Sequence, residues 1–378
     1  MGLAVADMML PPFWKIKREF LASQDQIKAW GLQLATPLRR LNFDRREFKT
    51  LTVHDGERDL SNKLVLYLVF QPNGLIASNF IAIDYLVSRG HGVFLVSNGS
   101  LSPEDLEKLK PVCWKIIERE NRGYDFGGYR AGLRYLKKNG IFPDMLTIVN
   151  DSIWFPLSND SRILEKTEQV ISDVGGAVCL ENSDSRRGKT LLSYWITLRK
   201  TILQMPEFWD YWERYIPTGN KTLTVKLGER GFSRQMYSAG REMDSIFTID
   251  AFLKAMRVAT AHELRLTLKY GSFTDQIFEK ECDRLLAAAE DTPDWCNSCL
   301  DFIERVSRSR NFLHSFCYPS IKILGVPFLK KNHLHLQILM RQKYLRAVYA
   351  GDLPAPQPAI LHEIENNLKS PNQLSAFR

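Results

Sequence analysis

Short apolar runs alternate with stretches of helical pattern along the first half of the chain. The segments "KLVLYLVF", from Lys63, and "GVFLVSNG", from Gly92, are continuous apolar runs of strand length. Between them, "ASNFIAIDYLVSRG" has a helical pattern and ends at a glycine. This order predicts a strand, a helix and a second strand, which together form the βαβ unit of a parallel sheet.

The same alternation continues as far as Pro156. "SPEDLEKLKPV" predicts a helix with Ser102 as its N-cap and Pro103 at its first position. The segments "WKIIERE", "YRAGLRYLKKNG" and "MLTIVNDSIWFP" then predict a strand, a helix and a further strand. We therefore expect an α/β fold of Rossmann type, with a mostly parallel sheet and helices on both faces.

The regions on either side of this alternation have different patterns. Residues 11–48 interleave apolar and basic side chains, which predicts an amphipathic helix that either packs on the main domain or lies on an anionic membrane surface. The last stretch is rich in proline and polar residues, which is typical of a loosely packed tail. We expect four regions: an amphipathic helical N-terminal extension (1–60), the α/β domain (61–250), a mainly helical C-terminal region (251–350) and a loosely ordered tail (351–378).

Length and composition indicate a globular protein. The chain has 378 residues, of which 44% are hydrophobic, enough for a sizeable buried core. It contains no run of 18 or more apolar residues that could span a bilayer, and its opening "MGLAVADMML" lacks the basic flank of a secretory signal. We therefore expect a cytoplasmic protein. The six cysteines are unevenly spaced, which predicts reduced thiols instead of a disulfide framework.

The net charge of +8 suits an anionic partner such as a nucleotide or the inner face of a membrane. The basic residues are scattered, and no segment matches a zinc-finger, RNA-recognition or helix-turn-helix pattern, so we expect no nucleic-acid partner. Near the C-terminus, four residues could form a tetrahedral zinc site or could simply be small buried side chains on helices: Cys296, Cys299, His314 and Cys317.

Polar clusters follow three of the predicted strands. They are Ser97–Ser100, Asn121–Asp125 and Asn150–Ser152. A single polar turn is an ordinary way to end a strand, but three in succession favour a site, because ligands of parallel sheets bind beyond the carboxyl ends of the strands. The sequence therefore predicts one crevice lined by all three clusters.

The middle cluster combines glycines with charge. "NRGYDFGG" lacks the spacing of a dinucleotide fingerprint. Its glycines can let the backbone approach a ligand, Arg122 can meet a phosphate, and Asp125 can either bind ribose or base or cap the following helix. In the third cluster, Asp151 could hold Mg²⁺ or Mn²⁺ or could instead bind sugar hydroxyls.

Two motifs in order carry a family resemblance. "RENRGYDFGGYRAGL", followed by "LTIVNDSIWFPL", resembles the rhamnan synthesis F family of bacterial polysaccharide-assembly proteins, which are similar to glycosyltransferases. The segments "SYWITLRKTILQMPEFWDYWERY", "LGERGFSRQMYSAG" and "CYPSIKILGVPFLKKNHL" agree with it. The resemblance covers about residues 60–340, is strongest over 118–157, and implies a GT-A-like domain that binds a nucleotide sugar.

The resemblance also implies roles for individual residues. It places in the nucleotide pocket Asn98, Asn121, Arg122, Gly123, Asp125 and Tyr129. It places Asn150, Asp151 and Ser152 where such enzymes keep metal-binding acids, with Asp151 as the ligand of a divalent cation. Two departures from the family pattern stand out. The acidic motif reads N-D-S and not D-x-D, and Thr190 and Leu192 replace a His and a Gln.

An inverting transfer also needs a general base for the acceptor hydroxyl. Glu229 in "GERGFSRQ" is the first candidate, because it matches an E-x-G-x-S-like segment of the family; the alternative is that it is simply an acid at a helix N-terminus. Glu181 and Asp184 are the reserve candidates.

The resemblance implies a hexosyltransferase, with rhamnose one candidate sugar. Its partners would be a nucleotide-diphosphate sugar and a cell-surface polysaccharide or lipid-linked glycan. It would work in the cytoplasm or as a peripheral protein on the inner face of the plasma membrane. The alternative is a non-catalytic polysaccharide-assembly protein that retains a glycosyltransferase-like fold.

Overall fold

The computed structural model describes residues 51–170, 172–181, 189–288 and 292–369. The amphipathic basic stretch over 11–48 lies outside these ranges. Within the predicted N-terminal extension, residues 52–55 form an edge strand that pairs with residues 115–118.

An eight-stranded sheet forms the centre of the molecule. The described strands are β1 Thr52–Asp55, β2 Lys63–Val69, β3 Gly92–Ser97, β4 Lys115–Glu118, β5 Met145–Asn150, β6 Ile153–Trp154, β7 Val174–Gly176, β8 Cys179–Glu181, β9 Lys189–Leu191, β10 Trp195–Arg199, β11 Met243–Ser245 and β12 Leu329–Lys330. The order in the large sheet is β1-β4-β3-β2-β5-β10-β7-β11. Strands β4, β3, β2 and β5 run parallel to one another, β1 pairs antiparallel with β4, and β10 pairs antiparallel with β5 and β7.

Helices cover the sheet and make up most of the C-terminal region. They are α1 Ala77–Ser88, α2 Pro103–Leu109, α3 Tyr124–Lys138, α4 Ile163–Glu168, α5 Lys200–Leu203, α6 Pro206–Arg214, α7 Lys221–Leu227, α8 Glu229–Ser238, α9 Ile249–Arg257, α10 Ala261–Lys269, α11 Gln276–Ala287, α12 Pro293–Ser309, α13 Phe312–Ser315, α14 Cys317–Lys322, α15 His335–Tyr349 and α16 Pro358–Lys369. Helix α2 begins as predicted, with the Ser102 side chain accepting a hydrogen bond from the Asp105 backbone N–H and with Pro103 at the first position.

Strand β2 shows how the two faces are built. Its side chains alternate, so Val65 and Tyr67 enter one apolar cluster, with α1 and helices of the C-terminal region, while Leu66 and Leu68 enter another, with α3 and α6. Full burial of such a side chain stabilises the fold by about 1.5 to 3 kcal/mol. The α/β class, the mostly parallel sheet and the helices on both faces are thus confirmed.

The glycines of α3 serve the packing of this helix against the sheet. A Cβ at Gly128 would lie 2.3 Å from Cδ1 of Leu68, and one at Gly132 would lie 2.5 Å from Cδ1 of Leu66. Only a side chain of hydrogen lets the helix approach β2 this closely. At these two positions the close contacts are with the sheet, and the approach of a ligand to the glycines of this segment stays a prediction.

A two-stranded sheet connects the C-terminal region to the large sheet. Strand β12 pairs antiparallel with β6, which follows directly on β5. A third apolar cluster, which includes Trp154, Tyr344 and Ile360, packs side chains of this strand pair against the C-terminal helices. Residues 358–369, within the predicted loose tail, form helix α16, because Ile360 and Ile364 are fully buried.

No helix among the described residues is long and apolar enough to cross a membrane. The cysteines form no disulfide within the described part of the chain.

Candidate site at the carboxyl edge of the sheet

The three polar clusters lie at one edge of the sheet. Ser97, Glu118 and Asn150 are the last residues of β3, β4 and β5, and these strands belong to one parallel set with β2. Their carboxyl ends therefore point the same way, as the sequence predicted.

Asn150 links the end of β5 to helix α3. Its Nδ2 donates to Oδ2 of Asp125 at 3.1 Å and to the hydroxyl of Tyr129 at 2.7 Å. Its Oδ1 accepts from the hydroxyl of Ser152 at 2.5 Å and from the Ser152 backbone N–H at 3.1 Å. The Tyr129 hydroxyl in turn donates to the carbonyl of Ser193 at 2.8 Å. Predicted residues from two clusters thus share one hydrogen-bond network.

Asp125 is a half-buried carboxylate in the first turn of α3. Burial, together with the nearby charges of Asp151 and Glu229, raises its pKa to about 6, against the lowering effect of Lys330 and Lys221. A carboxyl group with this pKa can exchange a proton near neutral pH.

Asp151 is held from the end of β2. Its Oδ2 accepts hydrogen bonds from the backbone N–H of Phe70 at 3.0 Å and from Nε2 of Gln71 at 2.7 Å. Burial raises the pKa of its carboxyl, although the Lys331 ammonium and these hydrogen bonds act in the opposite direction. Asp151 and Asp125 therefore form a pair of destabilised carboxylates.

Glu229 joins the same site from a distant part of the sequence. It is the first residue of α8, and its Oε1 accepts from the backbone N–H of Ser193 at 3.0 Å and from the Ser193 hydroxyl at 2.5 Å. Its charge acts on the pKa of Asp125 and of Lys330. Glu229 is therefore both a helix N-terminal acid and a neighbour of the crevice.

Two lysines complete the site, although no motif in the sequence predicted a role for them. Strand pairing places Lys330 opposite Ile153. The Lys330 ammonium donates to the Ser152 hydroxyl at 3.0 Å, and the Lys331 ammonium donates to the Ser78 hydroxyl at 3.0 Å. Their only sequence signal was the pair of lysines after an apolar run in "CYPSIKILGVPFLKKNHL".

The remaining predicted pocket residues differ in exposure. Asn98 is buried; its Nδ2 donates to the carbonyl of Tyr124, and its Oδ1 accepts from Nη1 of Arg119 at 2.5 Å. Asn98 therefore positions the start of α3, while Asn121 and Arg122 are exposed.

Gly123 precedes α3 with a φ of 82°, in the left-handed region that favours glycine. A Cβ there would also lie 2.2 Å from Cβ of Pro217. The conformation and the close contact explain why this position is a glycine. Its placement at a nucleotide stays a prediction.

The donor set for a cation at Asn150-Asp151-Ser152 is small. One carboxylate is present, and one of its oxygens already accepts two hydrogen bonds. No group of three or more His, Cys, Asp or Glu side chains in the described ranges could hold a metal, and Cys296, Cys299, His314 and Cys317 lie within those ranges. A divalent cation at Asp151 stays a prediction. Of the reserve acids, Asp184 and the side chain of Glu181 lie outside the description.

Fold and site define an α/β protein with a charged crevice at the carboxyl edge of a parallel sheet. The family model described as rhamnan synthesis protein F matches residues 93–266, from β3 into α10, which confirms the resemblance over that part of the chain. An uncharacterized protein, y4gN of Sinorhizobium fredii, is 28% identical over 344 residues, covering 90% of this chain and 89% of the relative.

Two solved structures of glycosyltransferases are distantly similar. S. aureus TarS in complex with UDP-GlcNAc is 13% identical, with 81% of this chain and 88% of that chain covered and a TM-score of 0.31. The mannosyltransferase Ktr4p of S. cerevisiae is 8% identical, with 49% and 65% covered and a TM-score of 0.27. These TM-scores are too low for either structure to locate site residues in this chain.

Proposed function

We propose that this chain is a glycosyltransferase that moves a sugar from a nucleotide-diphosphate donor to a cell-surface polysaccharide or lipid-linked glycan. The observation that carries the proposal is the meeting of Asp125, Asp151, Glu229 and Lys330 at the carboxyl edge of the sheet. The match to the rhamnan synthesis F family supports it.

The proposed reaction has two parts, the transfer of the sugar and the removal of the proton from the acceptor hydroxyl. An acceptor hydroxyl oxygen forms a bond to the anomeric carbon while the bond from that carbon to the donor's diphosphate oxygen breaks. The hydroxyl proton passes to a carboxylate, and the nucleoside diphosphate departs with its bonding electrons. Attack from the face opposite the leaving group gives inversion at the anomeric carbon.

Glu229 and Asp125 are the two carboxylates that could take the proton. Glu229 is the base expected from the family pattern, and its Oε1 is fixed by Ser193. Asp125 is half-buried, and its pKa of about 6 makes its carboxylate a stronger base than an exposed one. Neutralising each residue separately identifies the base.

Rhamnose is the sugar suggested by the family description. A glycan acceptor on a lipid would bring the protein to the inner face of the plasma membrane, where its net charge of +8 favours anionic lipid. Peripheral attachment in the cytoplasm is part of the same proposal.

A non-catalytic assembly protein is the second candidate. It is favoured by the single acid in the N-D-S motif and by the hydrogen bonds from Ser193 that already engage Oε1 of Glu229. Such a protein would bind a nucleotide sugar or glycan without turning it over.

A screen of nucleotide-diphosphate sugars tests the proposal. The full chain is titrated with each sugar nucleotide, and binding and release of nucleoside diphosphate are both followed, with and without Mg²⁺ or Mn²⁺. We expect one donor to bind and to hydrolyse slowly, and Asp151→Ala to reduce both, because its carboxylate would bind either a divalent cation or the sugar hydroxyls of the donor. Binding without turnover, even with glycan acceptors added, would favour the non-catalytic candidate, and failure of every donor to bind would reject both.

A further inference from the structure

Lys330 reaches the crevice through backbone pairing and not through a flexible loop. Strand β12 sets Leu329 opposite Trp154 and Lys330 opposite Ile153. The backbone N–H of Lys331 donates to the carbonyl of Ser152 at 2.9 Å. These bonds fix the Lys330 backbone beside the residues that end β5, where the polar cluster begins.

The Lys330 ammonium is held by neutral groups. It donates to the Ser152 hydroxyl at 3.0 Å and lies 3.9 Å from the centre of the Tyr194 ring, a cation-π contact. Within the described residues, no carboxylate oxygen lies within 4.0 Å of its nitrogen. A half-buried cation without a direct anionic partner gains more from an incoming anion than one already paired.

The surrounding charges keep this cation protonated. Burial lowers the pKa of Lys330 to about 8 against the raising effect of the Glu229 and Asp125 carboxylates, and the charge of Lys221 acts with burial to lower it. The ammonium is therefore mostly charged at neutral pH and loses its charge as the pH rises above about 8.

A hydrogen-bond chain connects Lys330 to the acid of the crevice. Lys330 donates to Ser152, Ser152 donates to Oδ1 of Asn150, and Nδ2 of Asn150 donates to Asp125. The cation and the carboxylate therefore sit at the two ends of one fixed network. An anion bound at Lys330 would therefore be connected through Ser152 and Asn150 to Asp125, the carboxylate that is suited to accept a proton.

The neighbouring N-D-S motif has few free oxygen atoms that could bind a divalent cation. Mg²⁺ binds through carboxylates, waters and substrate phosphates in octahedral geometry. Asp151 is the one carboxylate of this motif, and its Oδ2 accepts from Phe70 and Gln71. Oδ1 of Asn150 is likewise engaged by Ser152. The donor set suits an ammonium partner better than a cation that needs free oxygens.

We propose that Lys330, in place of a divalent cation, carries the positive charge that meets the diphosphate of the donor. The inference rests on the proposed function and deepens it. It makes the donor's diphosphate the group recognised at the end of β5 and makes its departure independent of added metal. The negative charge that develops on the leaving oxygen is then balanced by an ammonium already in place.

Binding of nucleoside diphosphates in EDTA tests this inference. The uridine, thymidine, guanosine and cytidine diphosphates are titrated into the full chain in EDTA and again in Mg²⁺. We expect the preferred diphosphate to bind in EDTA nearly as tightly as in Mg²⁺. Lys330→Met should weaken this binding by about tenfold or more, the loss of one charge-assisted hydrogen bond, and Lys330→Arg should retain most of it.

Two further measurements separate charge from structure. Lys322→Met removes an exposed lysine at the end of α14 and should leave binding unchanged. Wild-type affinity in EDTA should fall as the pH rises above about 8, whereas that of Lys330→Arg should not, because a guanidinium stays protonated. Thermal unfolding of each variant checks that the fold is intact.

The outcomes distinguish this inference from the proposed function. Binding that is lost in EDTA and restored by Mg²⁺ would overturn the role of Lys330 and leave the proposed function standing. Equal binding by wild type and Lys330→Met in EDTA would overturn it as well. If no nucleoside diphosphate binds in either condition, the inference fails, and if no nucleotide-diphosphate sugar binds either, the proposed function fails with it.

Discussion

At the carboxyl edge of the sheet, the strand pattern of the sequence could predict only those site residues that come after an apolar strand in the chain. Asp125, Asn150 and Asp151 follow apolar strands, and the structure brings the first two into direct hydrogen-bond contact. Lys330 could not be found in this way. It enters through a two-residue strand pair far along the chain, and so short a strand leaves no periodic pattern.

The raised pKa of Asp125 has a consequence for stability. The carboxyl has a pKa of about 6 in the folded chain against an ordinary 3.8, so the folded state holds this proton more tightly than the unfolded chain. Its charge therefore destabilises the folded protein above pH 6. Asp125→Asn should raise the free energy of unfolding by about 1 to 3 kcal/mol at pH 8, with the gain fading as the pH falls from 6 to 4. Denaturant unfolding across this range measures it; a gain that does not depend on pH would contradict the assignment.

Glu229 gives a prediction about catalysis. If it takes the acceptor proton, Glu229→Gln should lower turnover by about a hundredfold or more and leave donor affinity unchanged. Glu207→Gln is the matched control, because Glu207 is likewise an acid in the first turn of a helix but is exposed. Steady-state transfer and donor titration measure the two quantities. Wild-type turnover in Glu229→Gln would assign the base to Asp125.

Helix α3 illustrates what the sequence shows about an element and what it does not. The pattern of "YRAGLRYLKKNG" predicts the helix, and the helix is present over Tyr124–Lys138. The role of its glycines could not be predicted from the pattern, because the sequence alone does not distinguish a glycine needed for packing from one needed for ligand binding. Only the distances to Leu66 and Leu68 show that they let the helix approach the sheet.

Gly127, in the first turn of the same helix, makes a second kind of close contact, with the loop that precedes α3. A Cβ there would lie 2.0 Å from the carbonyl oxygen of Arg122, a backbone atom that cannot rotate away. Gly127→Ala should destabilise the fold by about 1 to 3 kcal/mol, although alanine is the better helix former. Gly219→Ala is the control, because nothing lies within 4 Å of its added methyl. Equal unfolding midpoints for the two variants would contradict this prediction, because they would show that α3 accommodates a methyl group at Gly127.

At the scale of the whole molecule, the α/β half was predictable and the attachment of the C-terminal half was not. Apolar periodicity predicts the parallel strands because each is buried on both faces. The C-terminal helices join them through contacts distant in sequence. Glu363 of α16 accepts from the backbone N–H of Ser78 and from Nε1 of Trp154, both at 2.9 Å. Composition predicted a loose tail for the stretch that makes these contacts.

Glu363 should therefore anchor the C-terminal helix to α1 and β6. Glu363→Gln keeps the size of the side chain but weakens the two charge-assisted hydrogen bonds, and we expect a loss of about 1 to 3 kcal/mol in unfolding free energy. Hydrogen exchange in residues 358–369 should become faster at the same time. Glu365→Gln is the control on the same helix, because its partner Tyr349 is largely exposed. If the two variants are equally stable, α16 is held by its apolar face alone.

The central claim is that the strand-end crevice binds the sugar nucleotide. Hydrogen exchange of the full chain, measured with each member of a panel of nucleotide-diphosphate sugars, locates the site directly. We expect the donor that binds to slow exchange together in four separate segments, 68–71, 122–129, 149–153 and 329–331. Slowed exchange confined to other parts of the chain in the presence of a bound donor would contradict the account.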